Sequence, residues 1–275
     1  DRVRESALAG GWYPADPVQL RDQVDGFLGA DKSGETLESI RALIVPHAGY
    51  PFSGATAGQV FSLVKGQAYK RVLVLAPSHY GRFQGLSIAE VDAYRTPLGD
   101  VPLDLDAVTG LRASPLVGSH VDAHAREHSI EIELPLLQRA LAPGWRLVPI
   151  LVGQLGPQDY QAAADLLRPL ADATTLVVVS SDFTHYGQRF GYLPFPLDQR
   201  LPGRIQGLDE GAIARIVAKD AGGFLAYQTE TGITICGYRP IAILLRMLGP
   251  AAEVHRVAYA TSGTVTGDWS SSVSY

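Results

Sequence analysis

Five short apolar runs constrain this chain more than any other feature: Ala42–Pro46, Val72–Ala76, Leu147–Val152, Leu176–Ser180 and Val257–Ala260. Each is continuous rather than alternating, and rich in Val, Leu and Ile. A strand with one wet face alternates. A strand covered on both faces does not, because both sets of side chains meet an apolar layer. The runs predict an α/β fold with a mostly parallel central sheet flanked by helices. Asp16 before Pro17 is an N-cap followed by Pro at the first helical position, with Val18, Val24, Phe27 and Leu28 as an apolar face. Ala55–Lys65, Tyr160–Leu170 and the stripe Ile205, Leu208, Ala212, Ile213, Ile216 and Val217 predict further helices. Ile130, Leu134, Leu137 and Leu141 recur at spacings of four, three and four, which predicts a helix despite Pro135. Pro240–Leu248 reads as a short, very apolar helix through the core. Leu86–Asp106 reads as strands joined by a tight turn at Leu98–Asp100, a hairpin inserted near residues 86–106. Tyr186–Pro202 reads as an ordered loop. With no repeat and no linker in the sequence, one domain over residues 1–275 is the expectation.

Composition removes several classes of function. Apolar residues make up 46% of the chain and charged residues 19%, which excludes intrinsic disorder. With 23 basic against 28 acidic residues the net charge is −5, so no extended nucleic-acid surface is expected. The absence of a long apolar run predicts no membrane span, and the first residues, Asp1 to Ser6, are charged and lack a signal-peptide core. Cys236 is the one cysteine, so no intramolecular disulfide can form. That fits a reducing, cytoplasmic compartment.

The histidines mark the chemistry. Three predicted strands run directly into one: Ala42–Pro46 into His47, Val72–Ala76 into Pro77-Ser78-His79, and Leu176–Ser180 into Ser181-Asp182-Phe183-Thr184-His185. Open α/β sheets bind ligands beyond the carboxyl ends of their strands, where the loops converge. Two neutral imidazoles plus one anionic donor suit Fe, Zn, Cu or Ni and leave positions open for substrate. The anionic donor has three candidates: Cys236, Asp182 and Glu131. Cys236 precedes a predicted helix, whose N-terminus would favour the thiolate; the same thiol could equally be a small buried hydrophobe. His128 and Glu131 are three apart and face the same way on a helix, so Glu131 could fix the tautomer of a catalytic imidazole. Asp182 could orient His185 for proton transfer. His120 and His124 lie in a stretch without helical periodicity and read as a surface loop.

Six strings occur in an order that resembles the Memo family: Pro46-His47-Ala48-Gly49-Tyr50, Pro77-Ser78-His79, Tyr94-Arg95-Thr96-Pro97-Leu98, Glu127-His128-Ser129-Ile130-Glu131, Ser180-Ser181-Asp182-Phe183-Thr184-His185 and Thr234-Ile235-Cys236-Gly237. The resemblance extends to Gly11-Trp12-Tyr13-Pro14 and to the closing Asp268–Tyr275. Bacterial and archaeal members of that family are called AmmeMemoRadiSam system protein B. The resemblance implies a fold similar to class III extradiol dioxygenases of the LigB type. It implies a metal held by His47, His79 and Cys236, with Fe(II) first and Cu second as the cofactor. It also implies pocket roles for Asp182 and His185, with Trp12 and Tyr50 meeting the substrate. True extradiol dioxygenases use two His and a Glu, so the Cys departs from their pattern. The family is further associated with a radical-SAM protein and an AMMECR-type protein, and its animal member is described as binding phosphotyrosine peptides, in a pocket where Phe52 here replaces a tyrosine.

Two functions follow. In the first, a metal-dependent redox enzyme uses His47, His79 and Cys236 as ligands, His185 and Asp182 for protons, and His128 with Glu131 behind them. In the second, a binding protein keeps the dioxygenase-like cleft for a peptide or small anionic ligand. A third reading makes Cys236 a nucleophile with His185 as its base.

Overall fold

The computed structural model describes residues 1–29 and 37–275. Its strands, in chain order, are β1 (Val3–Arg4), β2 (Ala42–Val45), β3 (Arg71–Pro77), β4 (Leu86–Ser87), β5 (Ala93–Thr96), β6 (Gly99–Pro102), β7 (Val117–Gly118), β8 (Arg146–Val152), β9 (Thr175–Ser180), β10 (His185–Gly187) and β11 (Ser271–Val273). The helices are α1 (Pro17–Leu28), α2 (Ala55–Phe61), α3 (Leu105–Arg112), α4 (Val121–His124), α5 (Leu134–Ala140), α6 (Asp159–Leu167), α7 (Leu201–Val217), α8 (Ala221–Thr231), α9 (Tyr238–Met247) and α10 (Ser262–Thr266).

Six strands form the central sheet in the order β2-β9-β3-β8-β4-β7. The first four are parallel; β4 runs antiparallel to β8, with β7 parallel to β4. In β3, β8 and β9 only Arg71 and Arg146, at the entry ends, are not buried. Helices cover these strands: α9 lies on β3 and β9 and packs against α6 and α8, while α1, α2 and α5 pack together with α2 on β2. Asp16 caps α1 by accepting from the Gln19 N–H, and Leu20, Val24 and Leu28 are buried beneath it. Each such side chain stabilises the fold by roughly 1.5–3 kcal/mol. Pro135 is tolerated because a 3₁₀ turn over Glu131–Glu133 precedes α5, which places the proline in the first helical turn rather than the interior.

The register of the sheet sets up the site. Val45 pairs with Ser180, and Leu75 with Val179. Strands β2, β9 and β3 therefore end nearly level, and their exits carry His47, Asp182 and His79 to one edge.

Three expectations need correction. The run Val257–Ala260 is not a strand. No backbone hydrogen bond joins it to β2, and Val257 and Ala258 are only half-buried. It is apolar because it lines a cavity beside β2, not because it lies in the sheet. The hairpin turn falls at Pro97–Leu98, since Thr96 pairs with Gly99. Helix α8 was not expected: only Ala221 and Phe224 are buried on it, so it carries no stripe. Its signals were the ends, Asp220 capping the Gly223 N–H and Gly232 at φ 68°. Among the described residues, no helix is long and apolar enough to cross a membrane.

Candidate metal centre

Five donor side chains converge at the exits of β2, β3 and β9 and at the start of α9. They form two triads that share His47: His47, His79 and His128, and His47, Asp182 and Cys236. Within each triad the donor atoms all lie within 4.8 Å of one another. The three residues expected to hold a metal are thus drawn from both triads, with His47 in the middle. Its ring stands edge-on to His79 and His128, at 5.1 and 5.2 Å between centroids, while His79 and His128 stack at 4.3 Å.

Each ligand is held from behind. The Nδ1 of His47 is 2.8 Å from Ser180 Oγ, so its Nε2 faces Cys236 Sγ at 3.1 Å. His79 rests on Glu127, whose carboxylate accepts from the His79 backbone N–H and lies 3.0 Å from the ring Nδ1. The same carboxylate accepts from the His128 and Ser129 N–H groups. Cys236 is brought in by its neighbours: Ile233 and Ile235 are buried, and Gly237 packs so closely on Ser181 that an added Cβ would lie 2.5 Å from the serine Cβ. Only glycine lets the start of α9 press against the turn that carries Asp182.

The electrostatics keep His47 and His128 neutral, which is the ligating form. Burial, and then the neighbouring His79, push His47 well below its ordinary pKa. Burial, and then His47 and His79, bring His128 down to about 3. For Glu127 burial works against ionisation, but the hydrogen bonds and charge of His79 and His128 outweigh it and bring its pKa down to about 2. Asp182 is raised by burial. The Cys236 thiol is also raised, first by burial and then by the Asp182 carboxylate. The helix start at Cys236 does not favour the free thiolate as expected, because desolvation outweighs the helix end. The donor set nonetheless fits a metal ion. A divalent cation would replace the thiol proton, His128 Nδ1 is buried without a hydrogen-bond partner, and the imidazoles of His47, His79 and His128 lie within reach of one another.

Several predicted site residues have other partners. Glu131 is not beside the imidazoles. Its carboxylate accepts from Arg4 at 2.7 Å, Ser6 Oγ at 2.8 Å, the Ala7 and Leu8 N–H groups, and Tyr13 Oη at 2.6 Å. It ties down the N-terminal segment, and Trp12 then stacks on His128 at 4.2 Å. Glu127, four residues earlier in the same string, has the tautomer-fixing position. The sequence held that signal, since both acids flank His128. Asp182 does not orient His185: it accepts from the His47 backbone N–H, while the carbonyls of Phe183 and Thr234 lie 2.9 Å from His185 Nδ1. Tyr50 is buried and donates its hydroxyl to the Ile132 carbonyl, so it does not line the open cleft. The nearest base to the Cys236 thiol is His47, which removes the proposed pairing with His185. His124 is buried rather than on a surface loop, 2.8 Å from Ser87 Oγ. Reasoning from the sequence missed Tyr80 and Arg126 at the rim. Tyr80 is exposed and edge-on to His128 at 6.0 Å, with the Arg126 guanidinium 5.4 Å from its ring centre.

A separate cavity lies elsewhere. It measures about 540 Å³ and runs between β2 and residues 251–259. Pro46, Ser181 and Tyr275 line it, but none of the five donors does.

The model of the family described as Memo-like protein matches residues 4–275. The chain belongs to the Memo family. Relatives at 34% identity include Protein memo-1 homolog of Caenorhabditis elegans, aligned over 100% of this chain and 81% of that protein. The MEMO1 family protein MK0963 of Methanopyrus kandleri aligns over 99% and 96%, and the human Protein MEMO1 over 99% and 95%, both also at 34%. An uncharacterized protein from Escherichia coli K12 superposes with a TM-score of 0.44 at 13% identity, over 75% of this chain and 86% of that one. In this Memo chain the donor cluster sits at the carboxyl edge of the sheet, where the loops of three parallel strands meet.

Proposed function

We propose that this Memo-family cleft holds a redox-active metal ion, Fe(II) in the first place and copper in the second, and that the protein is a metal-dependent oxidoreductase with a dioxygenase-like site. The observation that carries the reading is the facing of Cys236 Sγ and His47 Nε2 at 3.1 Å, with two further imidazoles, His79 and His128, within reach. Imidazole and thiolate together suit iron and copper better than the hard oxygen-seeking cations. When bound, such an ion supplies one-electron redox chemistry and Lewis acidity.

The chain's own residues supply the rest. Glu127 orients His79, and Trp12 covers one face of His128. His185 has its Nδ1 beside two carbonyls, which leaves Nε2 free to take or give a proton. Tyr80 and Arg126 give the rim an aromatic face and a positive charge, suited to a small anionic molecule or an acidic peptide. A cytoplasmic setting, with a radical-SAM protein and an AMMECR-type protein as pathway partners, belongs to the same proposal.

Metal analysis and oxygen uptake on anaerobically purified protein test it. The wild type should carry near-stoichiometric iron or copper, and His47→Ala and Cys236→Ser should lose it. Full metal retention in both variants would overturn the ligand assignment. Ligand binding that survives chelation, with no oxygen uptake, would make the cleft a binding site instead.

A further inference from the structure

Behind His47 lies a buried polar chain to which the proposed metal site assigns no role. Ser180 Oγ is 2.8 Å from His47 Nδ1 and donates to Glu133 Oε1 at 3.2 Å. Glu133 and Ser180 are fully buried and His47 nearly so. The other carboxyl oxygen, Glu133 Oε2, has no hydrogen-bond partner.

We infer that Glu133 and Ser180 are positioning residues that hold His47 in the tautomer with its proton on Nδ1 and its lone pair on Nε2. A serine hydroxyl has one proton to give. Given to Glu133, it leaves Ser180 Oγ as an acceptor, so His47 Nδ1 must donate. Given instead to His47, it would leave Glu133 to donate a proton of its own to Ser180 Oγ, and it would turn an Nε2–H toward a Cys236 sulfur that already accepts from the Asp182 N–H. The first arrangement instead gives the Cys236 thiol proton an acceptor, the His47 Nε2 lone pair 3.1 Å away. In the metal-free protein the thiol proton lies between sulfur and Nε2. In the loaded protein that lone pair is the metal donor, and this last step rests on the metal reading above. The chain does for His47 what Glu127 does for His79, but through a hydroxyl and from the interior side of the sheet. What the relay needs from residue 133 is an acceptor oxygen, not a charge. A glutamine there should serve, and a leucine should not.

Two measurements separate this inference from the metal reading. The first is the ring-nitrogen NMR spectrum of metal-free protein labelled with nitrogen-15, with His47 assigned by its loss in His47→Gln. The wild type and Glu133→Gln should show the Nδ1–H tautomer. Ser180→Ala and Glu133→Leu should show a mixture or the opposite form. The second is Co(II) affinity by titration of the thiolate absorption band. Ser180→Ala and Glu133→Leu should bind roughly 10–100-fold more weakly, and Glu133→Gln within about threefold of wild type. Circular dichroism establishes folding, and should Glu133→Leu not fold, Ser180→Ala carries the test. An Nε2–H tautomer in the wild type, or an unchanged tautomer in Ser180→Ala, would overturn the inference. The expected tautomers without any Co(II) binding in the wild type would uphold the relay and sink the metal reading.

Discussion

Replacing Glu127 with glutamine probes how the carboxylate organises the site. Glu127 accepts from four donors: the His79 backbone N–H on Oε1, the His128 and Ser129 N–H groups on Oε2, and the His79 ring Nδ1, which lies 3.2 and 3.0 Å from the two oxygens. An amide has one acceptor oxygen, so one backbone donor in one orientation, and two in the other, face an –NH₂ group. A buried donor left without its partner costs about 1–3 kcal/mol, so Glu127→Gln should cost about 1–6 kcal/mol. A second route gives a similar figure. The pKa falls from the ordinary 4.5 to about 2, and about 2.5 units at 1.36 kcal/mol each make roughly 3 kcal/mol. His128 is neutral above its own pKa of about 3, so at neutral pH the benefit comes from hydrogen bonds rather than from its charge. Because the folded-state pKa is depressed, this stability is fully present above pH 4.5 and is lost as pH falls toward 2. Below that, the protonated acid resembles the amide. Urea unfolding of both proteins from pH 7 to pH 2.5 should therefore show a difference of about 3 kcal/mol that narrows through the acid range. A difference under about 0.5 kcal/mol at pH 7, or one that does not change with pH, would refute the reasoning.

Two further perturbations address the parts around the site. Arg4→Ala leaves the fully buried Glu131 without its cation, 2.7 Å away in the wild type. That should cost about 3–5 kcal/mol in urea unfolding and shift Trp12 emission to the red as the N-terminal segment loosens; an unchanged midpoint would be inconsistent with the anchoring role of Glu131. Cys236 in metal-free protein should alkylate with iodoacetamide at pH 8 at least tenfold more slowly than a free exposed thiol, since burial and Asp182 raise its pKa and shrink the thiolate fraction. A rate equal to that of glutathione would contradict this environment.

Much of this was legible in the chain. Four of the five apolar runs became strands of the central sheet, and α1 begins where Asp16 and Pro17 predict. His47, His79 and Asp182 meet because each follows a parallel strand, and strand exits of one parallel sheet share an edge. That inference needs only local patterning and a rule of topology, so the sequence alone determined it. The pairings within the site were different. Glu127 and Glu131 sit in one string with His128 between them, and the chain cannot say which acid turns toward the imidazoles. Arg4, Ser6 and Tyr13, more than a hundred residues away in sequence, claim Glu131 and leave Glu127 for His79. Likewise, Asp182 takes the His47 amide because β2 and β9 are neighbours, and His185 is left to two carbonyls. The Cys236 proton depends on how deeply α9 packs, not on the position of the thiol before a helix. Strand exits follow from short-range periodicity, but hydrogen-bond partners and pKa values depend on desolvation and on charges brought together by long-range packing, so only the tertiary structure decided them.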